Sequence, residues 1–145
     1  MENQPTKGRP AFSVQQPFAE QILRGIKAFE YRTIRTHTRG SVYIYASRTI
    51  YRDAAEWQKL SLHPGQVPIG QVVGTVEIID CDWSAELSCY RWHLARPQRL
   101  PARRPLTHPQ PVWFYPFADG SAYGDPDPDP DSDQGYLPFD PPTFW

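Results

Sequence analysis

The sequence predicts an α+β protein, namely a small, mostly antiparallel β-barrel with flanking helices that is followed by an acidic, Pro-rich tail. Several short runs alternate between apolar and polar residues, as strands do, and two runs have the apolar spacing of amphipathic helices. The composition then changes abruptly after Phe117. A length of 145 residues suits one domain with a single core.

The chain begins with a short strand and a helix. A strand is predicted at 12–16, and Pro17 suits the first turn of a helix because its missing N–H needs no partner there. Gly25 is a natural end for this helix, since glycine enters the left-handed region cheaply, so the helix is predicted over 17–24. Apolar positions spaced by four residues form one stripe: Phe18, Ile22 and Ile26.

The next segment, 28–32, alternates like a strand. Alternation sends Glu30 and Arg32 to one face of this strand and Phe29 and Tyr31 to the other. A carboxylate and a guanidinium are therefore expected side by side on the same face.

A second alternating segment, 41–47, is predicted to turn one face to the core. The core-facing residues are Val42, Ile44 and Ala46, and the residues opposite them are Tyr43, Tyr45 and Ser47. Exposed aromatic rings beside cations suit stacking on unpaired bases, whereas rings covered by another element are only packed. Both interpretations of the tyrosines remain open at this point.

The later elements are weaker in pattern, apart from one clear strand. A helix is predicted at 51–60, with Trp57 directed inward, and a turn region follows at 63–70. Strands are predicted at 71–80, 90–95 and 112–115, and the last two are separated by a Pro- and Arg-rich connector at 96–111. Gly74 inside a strand indicates a bulge or a bend. Trp92 and Trp113 are expected in the core, because large aromatic side chains dominate the cores of small barrels.

The net charge of −1 conceals two parts of opposite sign. Residues 1–117 hold all 15 Lys and Arg but nine acids, a net of +6, whereas residues 118–145 hold seven acids and no Lys or Arg. We therefore predict a flexible start at 1–10, a basic domain at 11–117 and an acidic tail at 118–145. The tail adds solubility, contacts its own domain as a mimic of nucleic acid, or presents its aromatic end to a protein partner, which would make the chain an interaction adaptor.

Composition argues against several other classes of protein. No run approaches the length of an apolar membrane span, and the start lacks the apolar stretch of a secretory signal, so we expect a cytoplasmic protein with no membrane partner. Cys81 and Cys89 match no zinc spacing and the four histidines are scattered, so we expect neither a metal nor a cofactor.

The richest chemistry lies just after the first helix, where Lys27, Glu30 and Arg32 fall within six residues. A carboxylate favours the charged form of a nearby lysine, while burial lowers the lysine pKa toward the range useful for proton transfer. The same set of groups would equally hold a phosphate or a base edge. The remaining alternative is an ion-pair network that only closes the mouth of the barrel.

These residues belong to a longer resemblance. The run SVQQPFAEQILRGIKAFEYR, followed by YIYAS, resembles the ASCH (activating signal cointegrator-1 homology) domain, whose hallmark G-x-K-x-x-E-x-R is matched by Gly25, Lys27, Glu30 and Arg32. The stretches GQVVGTVEIIDCDW, YRWHL and HPQPVWF are similar to bacterial members of the family, so the resemblance covers roughly residues 11–117. It implies a PUA-like β-barrel with an RNA-facing cleft that the motif residues line.

The resemblance implies more than one activity. Many members of the family are RNA-binding modules, some are similar to an amidohydrolase that deacylates N4-acetylcytidine with a Lys, a Thr and a Glu, and others resemble ribonucleases. The amidohydrolase lysine falls on Lys27, but its threonine falls on Glu30, which removes the candidate nucleophile. Glu77 is the nearest match for its glutamate.

The leading hypothesis from the sequence is therefore an RNA-binding domain, with a hydrolase in the same cleft as the alternative and Lys27 and Glu30 as its catalytic residues. The predicted RNA-binding residues are Gly25, Lys27, Glu30, Arg32, Arg35, Arg39, Tyr45, Ser47 and Arg48. Two sets of arginines are candidates for holding phosphates, with a solvated surface as the alternative for each: a rim of Arg24, Arg35, Arg39 and Arg48, and a patch of Arg96, Arg99, Arg103 and Arg104.

Overall fold

The computed structural model describes residues 8–117. The acidic tail predicted for 118–145 and most of the flexible start predicted for 1–10 lie outside these residues. The described elements are β1 (Ala11–Val14), α1 (Phe18–Leu23), β2 (Phe29–Arg32), β3 (Gly40–Ala46), α2 (Ala54–Gln58), a 3-10 turn (Pro64–Gln66), β4 (Gln71–Ser84), β5 (Cys89–Arg103) and β6 (Trp113–Phe114).

The strands form one six-stranded sheet in the order β2-β5-β4-β3-β1-β6. Neighbouring strands are antiparallel except β1 and β3, which are parallel. The mostly antiparallel α+β fold is thus confirmed, but the sheet curls into a half-barrel, and β2 and β6 remain its two edges within the described chain. No helix of residues 8–117 has the length and apolar character needed to cross a membrane.

The longest element is the β4–β5 hairpin, which corrects the connector predicted from residue 96 onward. β5 continues to Arg103 and still pairs there with Val72 of β4. Only residues 90–93 of β5 also pair with β2, so the later part of the strand has β4 alone as its neighbour. Pro97 and Pro101 are tolerated because they lie where β5 has a free edge.

The hydrophobic core lies inside the curl of the sheet. Trp92 of β5 stacks on Trp113 of β6 with the ring centroids 5.5 Å apart and the planes 11° from parallel. The ring of Phe12 in β1 lies 6.0 Å from both of them. The predicted core position of both tryptophans is confirmed, and their contact joins strands that are far apart in the sheet order.

The first helix is shorter than the predicted 17–24, because it ends at Leu23. Gly25 follows in the left-handed region at φ +78, as its role as a helix end requires. The backbone N–H groups of Ile26 and Lys27 both donate to the carbonyl of Gln21, which turns the chain away from the helix axis. The prediction that Ile26 continues the apolar stripe is therefore wrong, and its side chain is 56% exposed.

The second helix is also shorter than predicted, although its orientation is as expected. It covers Ala54–Gln58 rather than 51–60, and Asp53 caps its start by accepting a hydrogen bond from the N–H of Ala55 at 2.9 Å. Trp57 is buried, and its indole N–H donates to the carbonyl of Tyr51 at 2.7 Å.

Gly74 lies where β4, β5 and α1 meet. The register of β4 against β5 shifts at this residue, which confirms the predicted bulge. A Cβ atom at this position would lie 2.4 Å from the carbonyl oxygen of Gln98 and 2.6 Å from Cδ2 of Leu23. The absence of a side chain therefore allows the hairpin and the helix to pack together.

We expect Gly74→Ala to lower the free energy of unfolding by about 1–3 kcal/mol, because backbone and helix must move apart to admit the methyl group. Urea denaturation followed by circular dichroism measures this loss. Gly65→Ala is the matched control, since a Cβ there has nothing within 4 Å. Equal stability of the two variants would contradict the packing role of Gly74.

Candidate functional site

The G-x-K-x-x-E-x-R residues lie at the end of α1 and along β2. Gly25 makes the turn, Lys27 follows it, and the alternation of β2 buries Glu30 and Arg32. Phe29 and Tyr31 lie on the opposite face, as the alternation predicts, and they are half-buried. The motif therefore spans from the protein surface into the interior of the half-barrel.

Arg32 is wholly inside the protein, with 0% of its surface exposed. Its Nε donates to Oε2 of Glu30 at 2.7 Å, and its Nη2 donates to the backbone carbonyl of Ser13 in β1. Its guanidinium carbon lies 5.4 Å from the ring of Trp92. The prediction that Arg32 contacts RNA is not supported, because its buried guanidinium already donates to Glu30 and to the carbonyl of Ser13.

Lys27 and Glu30 form a looser pair at the boundary of the same cluster. Lys27 is 8% exposed and Glu30 is fully buried. The lysine Nζ lies 3.8 Å from Oε1 of Glu30, which is longer than a hydrogen bond. That oxygen is buried and accepts no hydrogen bond from residues 8–117. The carboxylate thus has one oxygen committed to Arg32 and one still able to accept a donor.

Burial lowers the pKa of Lys27 below its ordinary value of 10.5, because the ammonium loses its hydration. Glu30 opposes this effect, Arg32 reinforces it, and Glu56 also opposes it. The Nζ atom lies 4.9 Å from the ring centre of Tyr31, and this cation–π contact partly compensates the ammonium for its lost hydration. Lys27 therefore loses its proton at a lower pH than a surface lysine does.

Glu56 is a member of this site that sequence reasoning missed. It lies on α2, is buried, and accepts hydrogen bonds from Nε2 of Gln21 and from Nζ of Lys59, at 3.0 Å and 3.0–3.1 Å. The signal that was available is its position next to Trp57 in a helix predicted to pack inward. Only the docking of α2 against α1 brings this carboxylate toward Lys27.

The predicted rim of arginines is not a single surface. Arg39 immediately precedes β3 and Arg48 follows it, so the length of that strand, about 20 Å, separates them. Arg39 donates to the carbonyls of Thr36 and Thr38 and lies 3.9 Å from Asp80. Arg35 is exposed and, like Arg39, precedes β3 in the chain. The hydroxyl of Ser47 donates to the carbonyl of Thr49 at 3.0 Å.

Several arginines of the two predicted sets are paired with carboxylates. Arg24 and Arg99 both bind Glu20, with N···O distances of 2.8 Å. Arg96 binds Glu77 at 2.7 Å on the exposed face of the hairpin. None of the contacts described for Glu77 reaches Lys27, so the structure does not support Glu77 as the third residue of the amidohydrolase set.

The tyrosines of β3 are packed rather than available for stacking. Tyr45 is 3% exposed and meets Phe114 edge to face, with the ring centroids 5.2 Å apart. Tyr43 meets Phe117 in the same way at 5.3 Å. The packing of Tyr45 does not support the prediction that it contacts nucleic acid, because strand β6 and the chain after it cover this face.

The model of the ASCH domain matches residues 12–104 of the chain, which is more than half of its length. The chain belongs to the ASCH domain family. ASCH domains are PUA-like and generally bind RNA. A search of the curated proteins finds no match to this chain. Within the described part of this ASCH domain, no three His, Cys, Asp or Glu side chains come together as a group able to hold a metal ion.

The lowered pKa of Lys27 predicts a distinctive dependence of stability on pH. Between that lowered pKa and about 10.5, the unfolded chain binds a proton at Lys27 that the folded protein does not, so the contribution of Lys27 to the free energy of unfolding rises with pH. We expect the stability of the wild type relative to Lys27→Met to increase across this interval. Urea titrations of both proteins at several pH values measure the difference, and a flat or falling difference would show that the amine is not desolvated.

Proposed function

We propose that this ASCH domain binds single-stranded RNA and that Lys27 and Glu30 receive the edge of one unpaired or modified base. The observation that carries the proposal is the buried Oε1 of Glu30, which accepts no hydrogen bond from residues 8–117 and lies next to the one motif cation that reaches the surface. A buried acceptor without a donor costs about 1–3 kcal/mol, so a ligand that supplies the donor recovers that energy.

Base edges offer the complementary groups. The exocyclic amino group of cytosine or adenine donates hydrogen bonds that a carboxylate accepts, and the ring nitrogens and carbonyls accept hydrogen bonds from an ammonium. Unpaired RNA bases are commonly recognised in this way, on their Watson–Crick edges. Lys27 and Glu30 present a donor and an acceptor 3.8 Å apart, which suits adjacent groups on one base.

The charge of the domain supports the same partner. The described residues carry a net charge of +6. Four exposed arginines have no carboxylate partner among residues 8–117: Arg48, Arg52, Arg103 and Arg104. Arg48 follows the end of β3, and Arg103 pairs with Val72 at the start of β4, which is the strand next to that end. These two arginines can thus hold phosphates of one strand.

The proposal predicts two separable effects on binding. Lys27→Ala should weaken binding of a short single-stranded RNA about tenfold and leave the salt dependence nearly unchanged, because Lys27 contacts a base. Arg48→Ala combined with Arg103→Ala should instead reduce the slope of log K against log salt by about 1.4, at roughly 0.7 for each phosphate contact. Fluorescence anisotropy at several salt concentrations measures both effects.

Arg96→Ala is the control, since it removes the same charge from an exposed side chain that is paired with Glu77 outside the site. No binding of RNA at low salt would disprove the proposed function. Equal losses for Lys27→Ala and Arg96→Ala would show that Lys27 contributes only general charge.

A hydrolase is the second candidate, favoured by a lysine of lowered pKa beside a carboxylate. In this mechanism the neutral Nζ of Lys27 removes a proton from water as the oxygen attacks the acyl carbon of an N4-acylated cytidine. The C–N bond then breaks, the proton passes to the leaving N4 amine, and a carboxylic acid is released. Water replaces the missing enzyme hydroxyl as the nucleophile, and Glu30 holds the ammonium that forms.

Incubation of the protein with N4-acylated cytidines and with short RNAs, followed by chromatography, tests this activity. We expect Lys27→Ala to lower the rate of product formation at least a hundredfold, as is typical for loss of a general base. Arg96→Ala, which removes a cation paired with Glu77 outside the site, should keep the wild-type rate. Absence of turnover by the wild type, or equal turnover by Lys27→Ala, would exclude the hydrolase and would leave RNA binding untouched.

A further inference from the structure

The outer face of β2 and β5 carries a group of flat side chains that the motif does not include. Phe29 of β2 lies opposite His93 of β5, and Tyr31 lies opposite Arg91. All four are partly exposed. They point away from the core, because alternation along the same two strands buries Glu30 and Trp92 on the inner face.

These side chains form one continuous surface. The ring centroids of Phe29 and His93 are 4.9 Å apart, and those of Phe29 and Tyr31 are 6.2 Å apart. The guanidinium carbon of Arg91 lies 5.5 Å from the centre of the Phe29 ring. Nζ of Lys27 lies 4.9 Å from the centre of the Tyr31 ring, so the surface ends at the candidate site.

Arg91 is held in place by a carboxylate. Its Nε and Nη2 donate to the two oxygens of Asp82 at 3.0 Å and 2.8 Å. Nε2 of His93 lies 3.0 Å from Oδ1 of the same residue. The hydrogen bond from Arg91, with a smaller contribution from His93, lowers the pKa of Asp82 to about 2, so this carboxylate stays ionised at neutral pH. The planar guanidinium is therefore oriented before any ligand arrives.

We propose that Phe29, Tyr31, Arg91 and His93 form a stacking surface for the unpaired RNA bases that neighbour the base held at Lys27. This inference rests on the proposed RNA-binding function and names the part of the ligand that the outer face receives. Aromatic rings and arginine planes are the groups on which unpaired bases stack. The net charge of +6 on residues 8–117 complements the phosphates between those bases.

The position of β2 gives an RNA strand access to this surface. β2 is an edge of the sheet and pairs with β5 alone among the described strands. A strand of RNA can therefore pass over the edge and lay its bases on the outer face while one base reaches Lys27.

The test compares a short single-stranded RNA with an abasic ribose-phosphate strand of the same length. Phe29→Leu keeps an apolar side chain and removes the ring, and we expect it to weaken binding of the RNA about tenfold and to leave binding of the abasic strand unchanged. Arg91→Lys keeps the charge but not the plane, so it should act in the same direction. Fluorescence anisotropy at a fixed salt concentration gives both affinities, and circular dichroism shows whether each variant is folded.

Trp83→Leu is the matched control. Trp83 is 53% exposed and packs edge to face on Tyr90, and its register places it on the opposite face from Asp82 and Arg91. We expect this variant to bind both strands as the wild type does. If the wild type binds RNA and both Phe29→Leu and Arg91→Lys bind it equally well, the stacking surface is disproved while the proposed function stands. If the wild type binds no RNA, the proposed function itself fails.

Discussion

The fold depends on the buried Arg32 side chain, which joins two strands that the sheet order separates. β2 and β1 are separated by three strands in that order, yet the guanidinium on β2 donates to the carbonyl of Ser13 on β1. Trp92 and Trp113 stack across the same interior. The edge strands of the described sheet, β2 and β6, are not neighbours of each other, so contacts across the interior such as these keep the sheet curled.

The same link creates the chemical properties of the site. A buried guanidinium requires a carboxylate, since an unpaired charge in the interior costs several kcal/mol. Glu30 satisfies Arg32 with one oxygen, and its other oxygen faces Lys27 without a hydrogen bond from residues 8–117. Lys27 is desolvated by the packing of α1, β2 and α2 around it. One buried cluster thus links β2 to β1 and leaves one carboxylate oxygen without a hydrogen bond from residues 8–117.

The distribution of charge differs from what the composition suggests. The charge of several arginines is already balanced by carboxylates, as for Arg91 on Asp82 and Arg99 on Glu20, so the net charge of +6 comes from the other cations. Exposed pairs of this kind add little stability, but they orient the planar groups. At Arg91 this orientation also places the guanidinium over the ring of Phe29.

The sequence alone was sufficient for the fold class, the strand alternation at 28–32, the helix end at Gly25 and the motif residues, because each depends on local spacing or backbone preference. It did not separate a stacking role from a packed role for Tyr45, and it did not reveal Glu56 or the outer face of β2 and β5. Those features were decided by the tertiary structure. The pairing of β5 with β2 brings Phe29 beside His93, β6 covers Tyr45, and α2 brings Glu56 toward Lys27. Such contacts join residues whose separation along the chain leaves no periodic pattern in the sequence.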